Sequence, residues 1–132
     1  MSANLSGRPR APRKVLIADD EPSVRLLVQA TIEMDGYDVI EAADGDEAWS
    51  LIQEHRPSLV LLDVRMPGRT GLEILREIKT DPSLIETRVI LLTASAQESD
   101  IAAGLVAGAD FYLTKPFSPR DLLSKVDEAL WL

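Results

Sequence analysis

Three short runs of the chain are apolar at nearly every position: Val15-Leu16-Ile17-Ala18, Ser58 to Leu62 and Val89 to Leu92. Each is bounded by polar or turn-forming residues. Runs of this kind suit strands buried on both faces, as in a parallel sheet covered by helices. Val39-Ile40 and Phe111-Tyr112-Leu113 are weaker candidates, which makes five strands. Between them apolar residues recur at helical spacing. Val24, Leu27, Val28 and Ile32 lie on one face, with Pro22 near the start and Gly36 past the end, where a helix favours them. Asp44-Gly45-Asp46-Glu47 has the form of a capping box, followed by Ala48, Leu51, Ile52 and His55. Leu72, Leu75 and Ile78 line a third helix, residues near Ser99 to Ala107 form a fourth, and Leu122, Leu123, Val126 and Leu130 mark a fifth. Five alternations of strand and helix predict a doubly wound α/β fold with a five-stranded parallel sheet, because each parallel connection crosses over through a helix.

Composition narrows the function classes. With 132 residues, 45% of them hydrophobic and 27% charged, the chain suits one ordinary globular domain. No apolar run nears the ~18 residues of a membrane span, and the absence of cysteine removes disulfides, thiol nucleophiles and thiolate metal sites. A cytoplasmic address away from membranes is the expectation. The net charge of -8 conceals an asymmetry: Arg8, Arg10, Arg13 and Lys14 precede every acid, leaving 10 basic and 22 acidic residues afterwards. Such an acidic body is ill suited to a phosphate backbone, so direct nucleic-acid binding is not expected. Residues 1–13 read as a flexible basic tail, and residues 14–132 as the domain.

In open parallel sheets functional groups gather beyond the carboxyl ends of the strands. Asp19-Asp20-Glu21 follows the first predicted strand, Asp63 the third, Thr93-Ala94 the fourth and Lys115-Pro116 the fifth. One edge would therefore collect carboxylates, a hydroxyl and an ammonium. Crowded carboxylates repel one another, and a hard divalent cation relieves that repulsion with oxygen ligands, which fits magnesium better than zinc. A carboxylate so placed could attack phosphorus and form an acyl phosphate. Lys115 would then offer a mobile charge, Thr93 a hydroxyl donor and Ala94 an amide beside a small side chain.

Taken together, the acidic pair in IADDE, the stretch LLDVRMPGRTG, the hydroxyl in ILLTA and the Lys-Pro of GADFYLTKPF resemble the receiver domain of bacterial response regulators. The likeness spans roughly Lys14 to Leu130. It implies a flavodoxin-like receiver fold and a phosphoacceptor role for Asp63. It implies that Asp20 ligates magnesium directly and Asp19 less directly, with a further ligand from the Arg65 carbonyl. Thr93 matches the switch hydroxyl, Lys115 the lysine that pairs with the phosphoryl group, and Tyr112 an aromatic whose rotamer follows the threonine. Pro116 matches a proline after a cis bond, an isomer essentially confined to X-Pro. The implied partners are a histidine kinase or histidine phosphotransfer domain, and a downstream protein or second copy on the face from the fourth to the fifth helix. No true enzyme activity is implied.

Two other classes fit less well. An aspartate-nucleophile, magnesium-dependent phosphatase needs a second acid two residues after the nucleophile, where Arg65 stands. A nucleotide or flavin module needs a glycine-rich loop after the first strand, where three acids stand instead. His55 lacks the context of a phosphodonor and sits at a helix end that favours a cation. Trp49 reads as a packing residue, and Trp131 as a candidate interface residue.

Overall fold

The computed structural model describes residues 13–94, 103–104 and 107–131. Its five strands are β1 (Lys14–Ala18), β2 (Asp38–Ala42), β3 (Leu59–Asp63), β4 (Arg88–Thr93) and β5 (Phe111–Thr114), all parallel in the order β2-β1-β3-β4-β5. Helices α1 (Pro22–Glu33), α2 (Gly45–His55) and α3 (Gly71–Thr80) make the first three crossovers, with a short 3-10 turn at Pro82–Leu84, and a C-terminal helix (Pro119–Trp131) follows the last strand. This is the flavodoxin-like architecture expected of the alternation. Most of the expected helix near Ser99 to Ala107 lies outside the described residues, although Ala103 and Gly104 are helical.

Why the apolar runs lie where they do follows from two cores, one on each face of the sheet. Leu16, Val60, Leu62 and Val89 pack with Ile52, Ile74, Leu75 and Ile78 of α2 and α3. Val15, Ile17, Leu59, Leu61, Ile90 and Leu92 pack with Val28 and Ile32 of α1 and Leu122 and Val126 of the C-terminal helix. Successive residues of one strand thus face opposite layers, so every position must be apolar. All five residues of β3, Asp63 included, are buried.

Helix ends refine the sequence reading. At α2, Asp44 accepts from the Glu47 amide at 2.8 Å, but the Glu47 carboxylate reaches Ala43 N rather than the Asp44 amide. A complete capping box stands instead at α3, where Thr70 Oγ1 accepts from Glu73 N at 3.2 Å and Thr70 N donates to Glu73 Oε1 at 2.9 Å. Replacing Thr70 by Ala should lower stability by about 1 kcal/mol, read by urea unfolding. An unchanged midpoint would contradict that role. Arg13, the last residue of the expected tail, donates from Nη1 to Leu130 O at 3.0 Å and stacks 4.4 Å from the Trp131 ring centroid. It thereby caps the C-terminal helix, while Trp131 Nε1 donates to the Tyr37 hydroxyl. The earlier tail residues lie outside the described residues.

Candidate functional site

Strand register assembles the site. Ala18 lies opposite Leu62, so Asp19, one residue past β1, comes level with Asp63 at the end of β3. Asp63 pairs with Leu92, which puts Thr93 one step beyond it, and Thr93 lies opposite Thr114, which brings up Lys115. Asp63, Thr93 and Lys115 border a cavity of about 210 Å³ that is also lined by Asp20, Glu21, Val64, Arg65 and Ala94.

Asp19 is fully buried. Its Oδ1 accepts from Glu21 N at 2.9 Å, and its carbonyl accepts from Arg25 Nη1 at 2.7 Å. Oδ2 receives no well-angled hydrogen bond from any described residue; it has the charge of Lys115 Nζ at 2.7 Å. Asp63 is 6% exposed, with Oδ1 accepting from Arg65 N at 3.1 Å and Oδ2 facing Lys115 Nζ at 3.3 Å. Burial pushes the Asp63 carboxyl up to about 6; the Arg65 amide opposes this, Asp19 adds to it, and Lys115 offsets part. For Lys115, burial alone would lower the pKa. The contact with Asp19 and the charges of Asp63, Asp19 and Glu21 overcome that and hold the ammonium above its ordinary value. One cation thus serves three carboxylates, since Glu21 Oε1 also lies 3.2 Å from Nζ.

A divalent cation fits this arrangement. Asp19, Asp20 and Asp63 each offer an oxygen within 4.8 Å of the others, and the Asp19 Oδ2 has no hydrogen bond from a described residue, so three acids crowd one site with a single ammonium between them. All the donors are oxygens, the preference of magnesium and its relatives rather than of zinc.

Of the other predicted residues, Thr93 is buried at the end of β4, its carbonyl accepting from Lys115 N at 2.7 Å, and Ala94 lines the cavity. The Lys115-Pro116 bond is cis. Tyr112 stands apart: it is 40% exposed and borders a second cavity with Phe111 and Lys125 instead of the acidic one. Sequence reasoning left Glu21 and Arg25 out of the site. Glu21 was signalled by the unbroken run of three acids, whereas Arg25 reaches back from α1 to the Asp19 carbonyl with no motif to mark it.

Comparisons with known proteins bear on the family and the fold that carry this site. Residues 15–127 match the family model described as the response regulator receiver domain. The chain is 39% identical over 118 residues to the phosphate regulon transcriptional regulatory protein PhoB of Pseudomonas aeruginosa, covering 89% of this chain and 52% of that protein, so it spans about half the length of that relative. Among solved structures, the chemotaxis protein CheY4 of Vibrio cholerae is 35% identical with a TM-score of 0.85, over 91% of this chain and 100% of that one. The manganese-bound form of the response regulator Rcp1 is 32% identical with a TM-score of 0.76, over 92% and 95%.

Proposed function

Because this chain belongs to the response regulator receiver family, we propose that it is the phosphoacceptor switch of a two-component phosphorelay, charged on Asp63 by a histidine kinase or phosphotransfer protein. The observation that carries this reading is the convergence of Asp20, Asp63, Thr93 and Lys115 from four strand ends on one small cavity, with Asp19 buried beside it against Lys115. Asp20, Asp63 and the Arg65 carbonyl would hold magnesium, with Asp19 in support; when bound, the ion supplies positive charge for the carboxylates and the phosphoryl oxygens.

The chain's own groups divide the work. An Asp63 oxygen attacks phosphorus as the bond to the donor imidazole breaks, giving an acyl phosphate and releasing the histidine. Lys115 Nζ, already 3.3 Å from Asp63 Oδ2, pairs with one phosphoryl oxygen, and the Thr93 hydroxyl and Ala94 amide donate to others. Arg65 N fixes Asp63 Oδ1, which orients the carboxylate before reaction. Drawing Thr93 toward the phosphoryl group would bias the neighbouring β5 face, where Tyr112 is half-exposed, toward a second conformation. A downstream protein or second copy would read that face together with the segment near residues 99–107 and the C-terminal helix. The setting proposed is cytoplasmic; no described helix is long and apolar enough to cross a membrane.

Acetyl phosphate with magnesium tests this directly. One phosphoryl group should add to the intact protein, map to Asp63, and fail to add when a chelator is present from the start. Repeated turnover of phosphate esters with no stable adduct would favour a phosphatase and overturn the switch.

A further inference from the structure

The loop after Asp63, residues 64–70, carries the Arg65 carbonyl and the amide that orients Asp63. It is fixed at both ends. Val64 N donates to Leu92 O at 3.0 Å, and Gly71 N donates to Val64 O at 3.0 Å, with no room at Gly71 for a side chain against the Asp63 backbone. Its middle, Pro67 to Arg69, is held elsewhere, on the first turn of α2. Gly45 N donates to Pro67 O at 2.9 Å. A Cβ on Gly45 would overlap the Arg69 carbonyl oxygen and lie 2.6 Å from the Arg69 carbonyl carbon and 2.8 Å from its amide nitrogen. These are backbone atoms, which cannot swing aside as a side-chain tip can. Arg69 then fastens the loop laterally, pairing with Glu77 of α3 and with Asp46 of α2 at 3.7 Å, its guanidinium 5.6 Å from the Trp49 ring centroid.

We infer that Gly45 is a positioning residue for the phosphoacceptor site: by letting α2 seat directly on the Pro67–Arg69 backbone, it sets where the Arg65 carbonyl and amide stand relative to Asp63. This rests on the reading of Asp63 as a magnesium-assisted phosphoacceptor, and adds a residue in no contact with the cavity. Local propensity points the other way. Alanine is the better helix former, so at an unconstrained helix position Gly45→Ala would be neutral or stabilising. Here the side chain forces the loop off α2, and a metal that demands near-octahedral geometry tolerates a displaced ligand poorly.

The test measures magnesium affinity by Trp49 and Trp131 fluorescence, and phosphorylation by acetyl phosphate, for the full chain and three variants well below their melting temperatures. Gly45→Ala should bind magnesium about tenfold more weakly and accept phosphoryl groups about tenfold more slowly, as expected of a misplaced ligand. Gly36→Ala is the control. Gly36 has a φ of +89° and nothing within 4 Å of an added Cβ, so that variant is strained but should keep wild-type magnesium affinity. Arg69→Ala frees the loop without adding an atom, and should weaken magnesium by about threefold, between the other two. A folded Gly45→Ala within twofold of wild type in magnesium affinity overturns the inference; should that variant fail to fold, Arg69→Ala within twofold overturns it. A wild-type chain that binds no magnesium and takes no phosphoryl group refutes the switch reading itself, a distinct result.

Discussion

Asp63→Asn should abolish phosphorylation and, with chelator present, make the protein more stable at neutral pH. The first effect removes the attacking oxygen. The second follows from linkage. The Asp63 carboxyl stands at about 6 in the fold against an ordinary value of 3.8, so between those values the folded chain holds a proton that the unfolded chain has released. Stability therefore falls as pH rises through that window, and the full penalty persists above it. A gap of about two units corresponds to roughly 3 kcal/mol, of which a neutral amide should recover about 1–2 kcal/mol because it also loses attraction to Lys115. Urea unfolding in chelator should show the variant ahead near pH 7.5 and the two proteins converging as pH falls toward 4. A variant less stable than wild type at neutral pH would mean that the Lys115 contact, not burial and Asp19, governs the Asp63 carboxylate. Magnesium should narrow the difference by stabilising wild type more than the variant, which lacks one charged ligand.

The features most legible in the sequence were those set by burial on both sides. Apolar runs such as Leu59 to Leu62 suit a strand covered by helices on both faces, and the polar residue ending each run had to lie at the sheet edge. Alternation of element types then implied which residues would meet, although it could not show that Asp19 stands level with Asp63, a matter of register carried by hydrogen bonds. Local capping was less legible: the Asp44 signal proved half a box, whereas Thr70 and Glu73 form the full one beside a turn rich in glycine and proline. Tyr112, three residues before Lys115, lines a cavity other than the acidic one, a placement that spacing along the chain does not specify. Gly45 was least legible of all. A glycine in a capping sequence reads as local turn chemistry, and only the approach of Arg69, 24 positions on in the chain but touching in space, gives it another meaning.

Lys115→Met should produce the largest loss of stability at the site, and magnesium should restore much of it. The ammonium neutralises Asp19, which is fully buried and whose Oδ2 has no other described partner, and it also offsets Asp63 and Glu21. Methionine keeps the aliphatic stem, so the loss is of charge rather than of packing. Breaking a buried ion pair on one side typically costs about 3–5 kcal/mol, and the half-exposed third acid and partial solvation put this case near 3 kcal/mol in chelator. The deficit should grow as pH rises, because without the ammonium nothing offsets the burial that already raises the Asp63 carboxyl in the fold. Wild type must admit a divalent cation beside an existing ammonium, whereas the variant offers the same oxygens without that repulsion. Its stability gain from saturating magnesium should therefore exceed that of wild type. Phosphorylation should still fall, since the lost cation is also the one placed to meet a phosphoryl oxygen. Equal magnesium gains in the two proteins would show that Lys115 and the metal do not compete for the same carboxylates. Unequal gains with slowed phosphorylation would assign the lysine two successive tasks, neutralising the acids before the ion arrives and pairing with the phosphoryl group afterwards.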